Sequence, residues 1–241
     1  MTTPTQASNS TDSSAQRLNK FVALALGVSR RQADELIEQG TVTVNDQPAK
    51  LGQRVTTTDI IRHGNKRLTA QTHQLILLHK PIGYLCSRAS QGGVPTIYEL
   101  LPTSLHHLKP VGRLDKDSSG LILLTNDGDF AHQMTHPSFY KMKRYLVTLD
   151  QPLQPLHRQM INDFGVQLPD GPSRLTLERQ HDGDDHRWIV HMSEGRNRQI
   201  RRTFTALGYT VTKLHRTDFG NYTLGDIKRG EFQESKLTPS Q

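Results

Sequence analysis

Cysteine is nearly absent: Cys86 is the single one in 241 residues. That excludes a disulfide framework within the chain and a cysteine-rich zinc site. No apolar run approaches the ~18 residues of a membrane span. The first residues lack a charged region followed by an apolar core, so no secretory signal is expected and the expected compartment is the cytoplasm. Internal repeats are missing, as is a glycine-rich phosphate loop of the P-loop or dinucleotide type. Apolar residues make up only 34% of the chain, but they cluster, so a packed core is feasible. The length predicts one or two domains, at roughly 100–200 residues each.

Positive charge is what the chain has in excess. Lys and Arg total 30 against 23 Asp and Glu, a formal net charge of +7. Such a balance favours nucleic acid or another polyanion as partner, although an ordinary basic protein shares it.

Residues 1–16, MTTPTQASNSTDSSAQ, are nearly free of large apolar side chains. They cannot bury enough surface to offset ordering and are predicted to be a disordered tail. Two helices follow. Leu18, Phe21, Val22 and Ala25 recur at the spacing of one helical face, and Gly27 ends the helix. Ser29 caps the second, with Gln32 as its capping-box partner. Ala33, Leu36 and Ile37 form the apolar face, and Gly40 is the stop signal. Val42 and Val44 alternate as a short strand, Asn45-Asp46 makes a turn, and Ile60-Ile61 suggests another strand. Arg30 and Arg31 fall in the first turn of the second helix, where the helix dipole disfavours cations. An outside anion such as phosphate would relieve that; two solvated arginines are the plain alternative.

HGNKRLTAQTH, residues 63–73, is polar and is predicted to be a linker. From residue 74 the pattern becomes that of a larger mixed domain. LILLHKP is a short buried strand stopped by Pro81. In GRLDKDSSGLILLT, residues 112–125, a turn-rich charged segment runs straight into Leu121–Leu124, which is predicted to be a buried strand. Asp115, Asp117, Ser119 and Gly120 match the opening of a calcium loop. Asn126, however, stands where that loop needs a bidentate glutamate. His132 and His136 have the spacing of a zinc pair, but no third ligand is evident, so two surface or RNA-facing histidines are expected. In EGRNRQIRRTFTALG, residues 194–208, Ile200, Thr203, Phe204 and Leu207 share the inner face of a predicted helix. Arg198 and Arg202 point away, and Arg201 falls at the border. A border arginine can lean inward and pair with a carboxylate while its neighbours reach phosphates. A basic amphipathic helix with no special arginine fits the same pattern.

RLNKFVALALGVSRRQADELIEQGTVTVNDQPA closely resembles an S4 domain, a small RNA-binding module, over residues 17–62. That resemblance makes Arg17, Lys20, Arg30 and Arg31 expected RNA contacts. HKPIGYLCS, VGRLDKDSSGLILLTNDGD, KRYLVTL and EGRNRQIRRTFTALGYTVTKLHR occur in the order seen in ribosomal RNA pseudouridine synthases of the RsuA/RluB/RluE/RluF type. The resemblance runs from residue 17 to about 233.

It implies an α+β fold: the small S4 domain, the linker, and a catalytic domain over 74–241 with a mixed, largely antiparallel sheet and flanking helices. It implies an isomerase that converts one uridine of ribosomal RNA to pseudouridine without a cofactor or metal. The catalytic aspartate maps onto Asp115, the aromatic residue against the target base onto Tyr145, and the motif arginine onto Arg201. An ion pair with Arg201 is expected to keep Asp115 charged. Arg113, Lys116, Lys143, Arg198, Arg202 and Leu214 are expected substrate contacts, with Leu214 lining the uracil pocket. Thr203 departs from the family, which usually has Met there, and this bears on local packing. The compact arrangement is more similar to the large-subunit (23S) enzymes than to the small-subunit (16S) ones. The expected partner is that RNA or an assembling ribosomal particle, bound by a monomer away from any membrane. The competing expectation is a non-catalytic RNA-binding factor for ribosome assembly, on the same fold.

Overall fold

The computed structural model describes residues 15–69 and 71–237. The chain forms two compact units, residues 1–72 and 73–241.

The first unit is built around α1 (Leu18–Leu26) and α2 (Arg30–Glu38). Leu18 and Val22 of α1 and Ala33 and Ile37 of α2 are buried together. Gly27 ends α1 at φ 70°, and its N–H closes on the Ala23 carbonyl. Both halves of the Ser29–Gln32 capping box form, at 3.1 and 2.9 Å. Such a cap is worth about 1 kcal/mol. The strands are β1 (Gln16–Arg17), β2 (Val42–Val44), β3 (Gln47–Pro48), β4 (Arg54–Val55), β5 (Ile61–His63) and β6 (Lys66–Arg67). They form a four-stranded sheet of order β3-β2-β5-β6 and a β1–β4 pair. Asn45 and Asp46 both take positive φ, 52° and 63°, the geometry of a tight two-residue hairpin turn.

Two boundaries differ from expectation. Of the expected tail, residues 1–14 lie outside the described residues, while Gln16 already pairs with Val55. The segment from residue 63 was expected to be a linker. Its first half instead closes a hairpin, with His63 opposite Lys66 and Leu68 buried in the first unit's core. Its polar composition reflects exposed β6 side chains, while its backbone bonds are those of a strand.

The second unit centres on one mixed sheet. Its strands are β7 (Leu75–Lys80), β8 (Lys109–Val111), β9 (Ser119–Thr125), β10 (Lys143–Leu149), β13 (Thr176–Arg179), β14 (Arg187–Met192), β15 (Val211–Phe219), β16 (Tyr222–Thr223) and β17 (Phe232–Ser235). The order is β13-β14-β10-β15-β9-β7-β17, with β8 on β9 and β16 on β15. All pairings are antiparallel except β15 with β9. β11 (Val166–Leu168) and β12 (Gly171–Ser173) form a separate hairpin. The helices are α3 (Gly128–Thr135), α4 (Pro155–Gln159) and α5 (Gln199–Thr205). The expected α+β architecture is present.

The run Leu121–Leu124 is buried on both sheet faces. Ile122 and Leu124 face the large core with Trp188 and Phe204, while Leu121 and Leu123 face a second cluster with Phe130 and Tyr222. Covering both faces is what a continuous apolar strand requires. Each such side chain contributes about 2 kcal/mol, so β9 is a rigid support for whatever precedes it. Gly120 is needed where β9 meets β15. Its φ is 108°, and a Cβ there would lie 2.1 Å from the Arg216 carbonyl oxygen.

Candidate active site

The loop from β8 to β9 carries Asp115. It opens at Gly112, whose φ is 70°, and closes where the Ser118 N–H meets the Asp115 carbonyl at 3.1 Å. A buried cation holds this turn from behind. The Nζ of Lys80, at the end of β7, donates to the carbonyls of Pro81 (3.0 Å), Asp115 (3.0 Å) and Ser118 (2.7 Å). Burial pushes the Lys80 pKa below its ordinary value. The ammonium is fully enclosed and tolerable there because three acceptors replace water.

In front of the loop is a cleft of about 280 Å³. Asp115, Tyr145, Leu214, Lys143, Arg216 and Arg113 line it, among others. Tyr145 comes from β10, where buried and half-buried residues alternate. Leu214 lies in β15, opposite Val147. The side chain of Asp115 is 33% exposed, reachable from the cleft but backed by protein.

The ion pairs differ from expectation. Arg201 leans inward as a border residue can, but it meets Asp117: Nε is 3.3 Å from Asp117 Oδ2, and Nη2 donates to the Asp117 carbonyl at 2.9 Å. Its Nη1 donates to the Val211 carbonyl at 2.7 Å. The Asp115 carboxylate pairs instead with Arg198, whose Nη1 lies 3.5 Å from Oδ2. Arg198 also binds both carboxylate oxygens of Asp117, at 3.1 and 3.0 Å. Helical periodicity misplaces it because it is not inside the helix. It precedes α5 with left-handed backbone, φ 47°, which turns its side chain back toward the loop. Burial works against the Asp117 carboxylate, but hydrogen bonds from Arg198 and the charges of Arg201 and Arg198 outweigh it and hold its pKa below the ordinary range.

Two other expected contacts lie elsewhere. Arg202 is bound to Asp170 at 2.7 Å and does not line the cleft. It points away from the inner face as expected, toward an acid of its own chain. Lys116 is exposed; its backbone carbonyl accepts from Gly83 N–H at 2.7 Å, so in this structure it shapes the turn. In the first unit Arg17, Arg30 and Arg31 are exposed and Lys20 is half-buried.

Two cations not singled out from the sequence, Arg196 and Arg216, complete the site together with the expected contact Lys143. Arg196 is fixed by Asp170 and Glu194, each at 3.1 Å. Arg216 is buried, its Nε donating to the Leu121 carbonyl at 2.8 Å. Lys143, also buried, donates to the Ser193 and Glu194 carbonyls at 2.9 and 3.1 Å. Lys143 Nζ lies 5.1 Å and the Arg216 guanidinium 4.9 Å from the centre of the Phe219 ring. Burial and the neighbouring Arg216 charge lower the Lys143 pKa to about 8. A lone Lys ending an apolar strand before proline, as in LILLHKP, is the signal that could have found Lys80.

Thr203, the departure from the family pattern, is fully buried. Its hydroxyl donates to the Gln199 carbonyl at 2.9 Å and contacts Ser173 Oγ at 2.8 Å. Gln199 Nε2 donates to the same Ser173 oxygen at 3.1 Å. The hydroxyl is thus accommodated by its own small polar network. Among the described residues no group of His, Cys, Asp or Glu could hold a metal ion, and no helix is long and apolar enough to cross a membrane.

The cleft thus sets one carboxylate, Asp115, among several cations. The chain belongs to the RNA pseudouridylate synthase family, whose pattern matches residues 74–206, behind an S4 domain matched over residues 16–61. It is 38% identical to the ribosomal small subunit pseudouridine synthase A of Pasteurella multocida, over 90% of this chain and 94% of that one. Identity to the ribosomal large subunit pseudouridine synthase B of Bacillus subtilis is 34%, over 94% and 93% of the two chains. A crystal structure of a pseudouridylate synthase, 35% identical, superposes with a TM-score of 0.65 over 91% of this chain and 96% of its own.

Proposed function

We propose that this protein isomerises one uridine of ribosomal RNA to pseudouridine, with Asp115 as the catalytic carboxylate. The observation that carries the proposal is the joint placement of Asp115, Tyr145 and Leu214 around one nucleotide-sized cleft. A uridine inside a stacked helix cannot reach Asp115, so it must flip out, at a cost of a few kcal/mol. Stacking on Tyr145 recovers about 1–3 kcal/mol, and Leu214 packs beside the base. Asp115 acts as a carboxylate, either attacking C1′ or taking the C2′ proton. The N1–C1′ bond breaks, the uracil rotates, and C5 bonds to C1′. The C5 proton leaves, N1 gains a proton, and no redox partner is required.

Arg198 steadies Asp115, and Arg201 holds the neighbouring Asp117, so the loop geometry rests on both. Arg113 and Arg198 face the cleft, where the backbone of the flipped nucleotide would lie. Arg17, Lys20, Arg30 and Arg31 of the first unit add phosphate contacts, which makes binding strongly salt-dependent. Every residue invoked here comes from one chain, in keeping with action as a monomer. Relatives are named for both subunits; the large-subunit RNA, free or in an assembling particle, remains our first choice of substrate.

The test incubates wild type and Asp115→Asn with unmodified small- and large-subunit ribosomal RNA. Pseudouridine is mapped by carbodiimide-dependent primer-extension stops. A stop with wild type alone, and equal RNA affinity for both proteins, is the expected result. Pseudouridine formed by Asp115→Asn would refute the assignment.

A further inference from the structure

The turn after α3 carries an unusual exposed surface. From Thr135 to Tyr140 every residue is exposed. Phe139 is 43% and Tyr140 76% exposed, and Met142 follows at 49%. His132 and His136 support Phe139 from the side, with ring centroids 6.0 and 6.2 Å from its own and steep interplanar angles of 83° and 74°. The two histidine rings lie 4.8 Å apart, and His136 Nδ1 is tied to Ser138 Oγ at 2.7 Å. Tyr140 holds a left-handed backbone, φ 46°, which is costly for a residue with a Cβ. Its N–H closes on the Pro137 carbonyl at 3.1 Å.

This surface borders the cleft. Thr135 and Lys143, at its two ends, both line it. Thr135 also abuts the turn that opens the Asp115 loop: a Cβ at Gly112 would lie 3.5 Å from Thr135 Cγ2. From Phe130 to Leu149 the sequence contains no acidic residue. The neighbouring acid Asp218 is paired with Arg144 at 3.6 Å, and Arg113 lines the adjoining cleft, which suits the approach of a polyanion.

We infer that Phe139 and Tyr140 form a stacking ledge for the unpaired nucleotide next to the target uridine on the same RNA strand. The inference rests on the RNA-modifying reading above and deepens it. When a uridine leaves its stack, the neighbouring base loses a partner for one face. Aromatic side chains cover such faces whatever the base, because every base has a π-face. The ledge thereby favours loops and bulges with an unpaired neighbour and gives little preference for which base it is. The chain's own His132 and His136 hold Phe139 in place, and the Tyr140 backbone keeps its ring clear of the core.

The test needs binding only, so it stands apart from turnover. The probe is a stem-loop RNA with one loop uridine flanked by 2-aminopurine, compared with the same RNA carrying abasic flanks. Affinities are measured by fluorescence anisotropy for wild type, Phe139→Ala with Tyr140→Asn, and Phe139→Trp. Asn tolerates the left-handed backbone, and unchanged circular dichroism verifies folding. Abasic flanks are expected to weaken wild type by roughly 5- to 150-fold and the double variant by less than about twofold, with Phe139→Trp behaving as wild type. 2-Aminopurine fluorescence should fall on binding wild type and not on binding the double variant. An equal loss in wild type and the double variant would overturn the ledge, as would no loss in either, the result expected if this face instead binds a protein. Neither result bears on Asp115, whose role is read from pseudouridine formation alone.

Discussion

Replacing Lys80 with Met isolates the contribution of the support behind the Asp115 loop. Met has similar length and keeps the apolar packing, but it removes the three bonds from Nζ to the carbonyls of Pro81, Asp115 and Ser118. Hydrogen bonds from a charged donor contribute about 1.5–3 kcal/mol each. Removing the buried ammonium recovers several kcal/mol of desolvation. The net loss is therefore about 2–4 kcal/mol, which for a domain of this size lowers Tm by about 5–15 °C. The kinetic effect should be larger than stability alone implies. Two of the three acceptors are at Asp115 and Ser118, so the turn that carries the carboxylate loses its support from behind. A misplacement near 1 Å can cost about 100-fold in rate. The assay is single-turnover pseudouridine formation at a temperature well below both melting points, with RNA affinity measured in parallel. The expected result is a fall in rate of at least tenfold with unchanged affinity. An unaltered rate in a folded Lys80→Met protein would refute the argument that this cation positions Asp115.

Two further outcomes follow from the charged groups. Arg201→Ala removes the hydrogen bonds to the Val211 and Asp117 carbonyls and leaves the Asp117 carboxylate to Arg198 alone. It should cost about 2–4 kcal/mol in urea unfolding, whereas Arg198→Ala, at a half-exposed site, should cost under about 1 kcal/mol and act mainly on rate. The folded pKa of Lys143, about 8 against 10.5, is depressed. Above pH 8 the folded state therefore binds fewer protons here than the unfolded chain, so stability rises with pH through that window. Relative to Lys143→Met, wild type should gain about 3 kcal/mol between pH 8 and 10.5, while its RNA affinity falls across pH 8 as the charge is lost. A pH-independent difference between the two proteins would contradict both.

Sequence alone determined the parts that depend on local rules. The Ser29–Gln32 box and the Gly27 stop follow from backbone geometry within a few residues. The apolar run Leu121–Leu124 announces a strand buried on both faces, and the motif resemblance points to Asp115 beside it. What required the tertiary structure is every pairing between distant segments. Periodicity puts Arg201 at the border between the helix faces, but it cannot say that the carboxylate it meets is Asp117, or that a left-handed residue turns Arg198 toward Asp115. Lys80 reads as the end of a strand; only the meeting of β7 with the Asp115 loop makes it a support. The hairpin after His63 is hidden for the same reason, since exposed strand side chains have the composition of a linker. Local periodicity reports which face a residue occupies. Its partner is set by how strands far apart in sequence come into register, and the ion pairs of this site form only once they do.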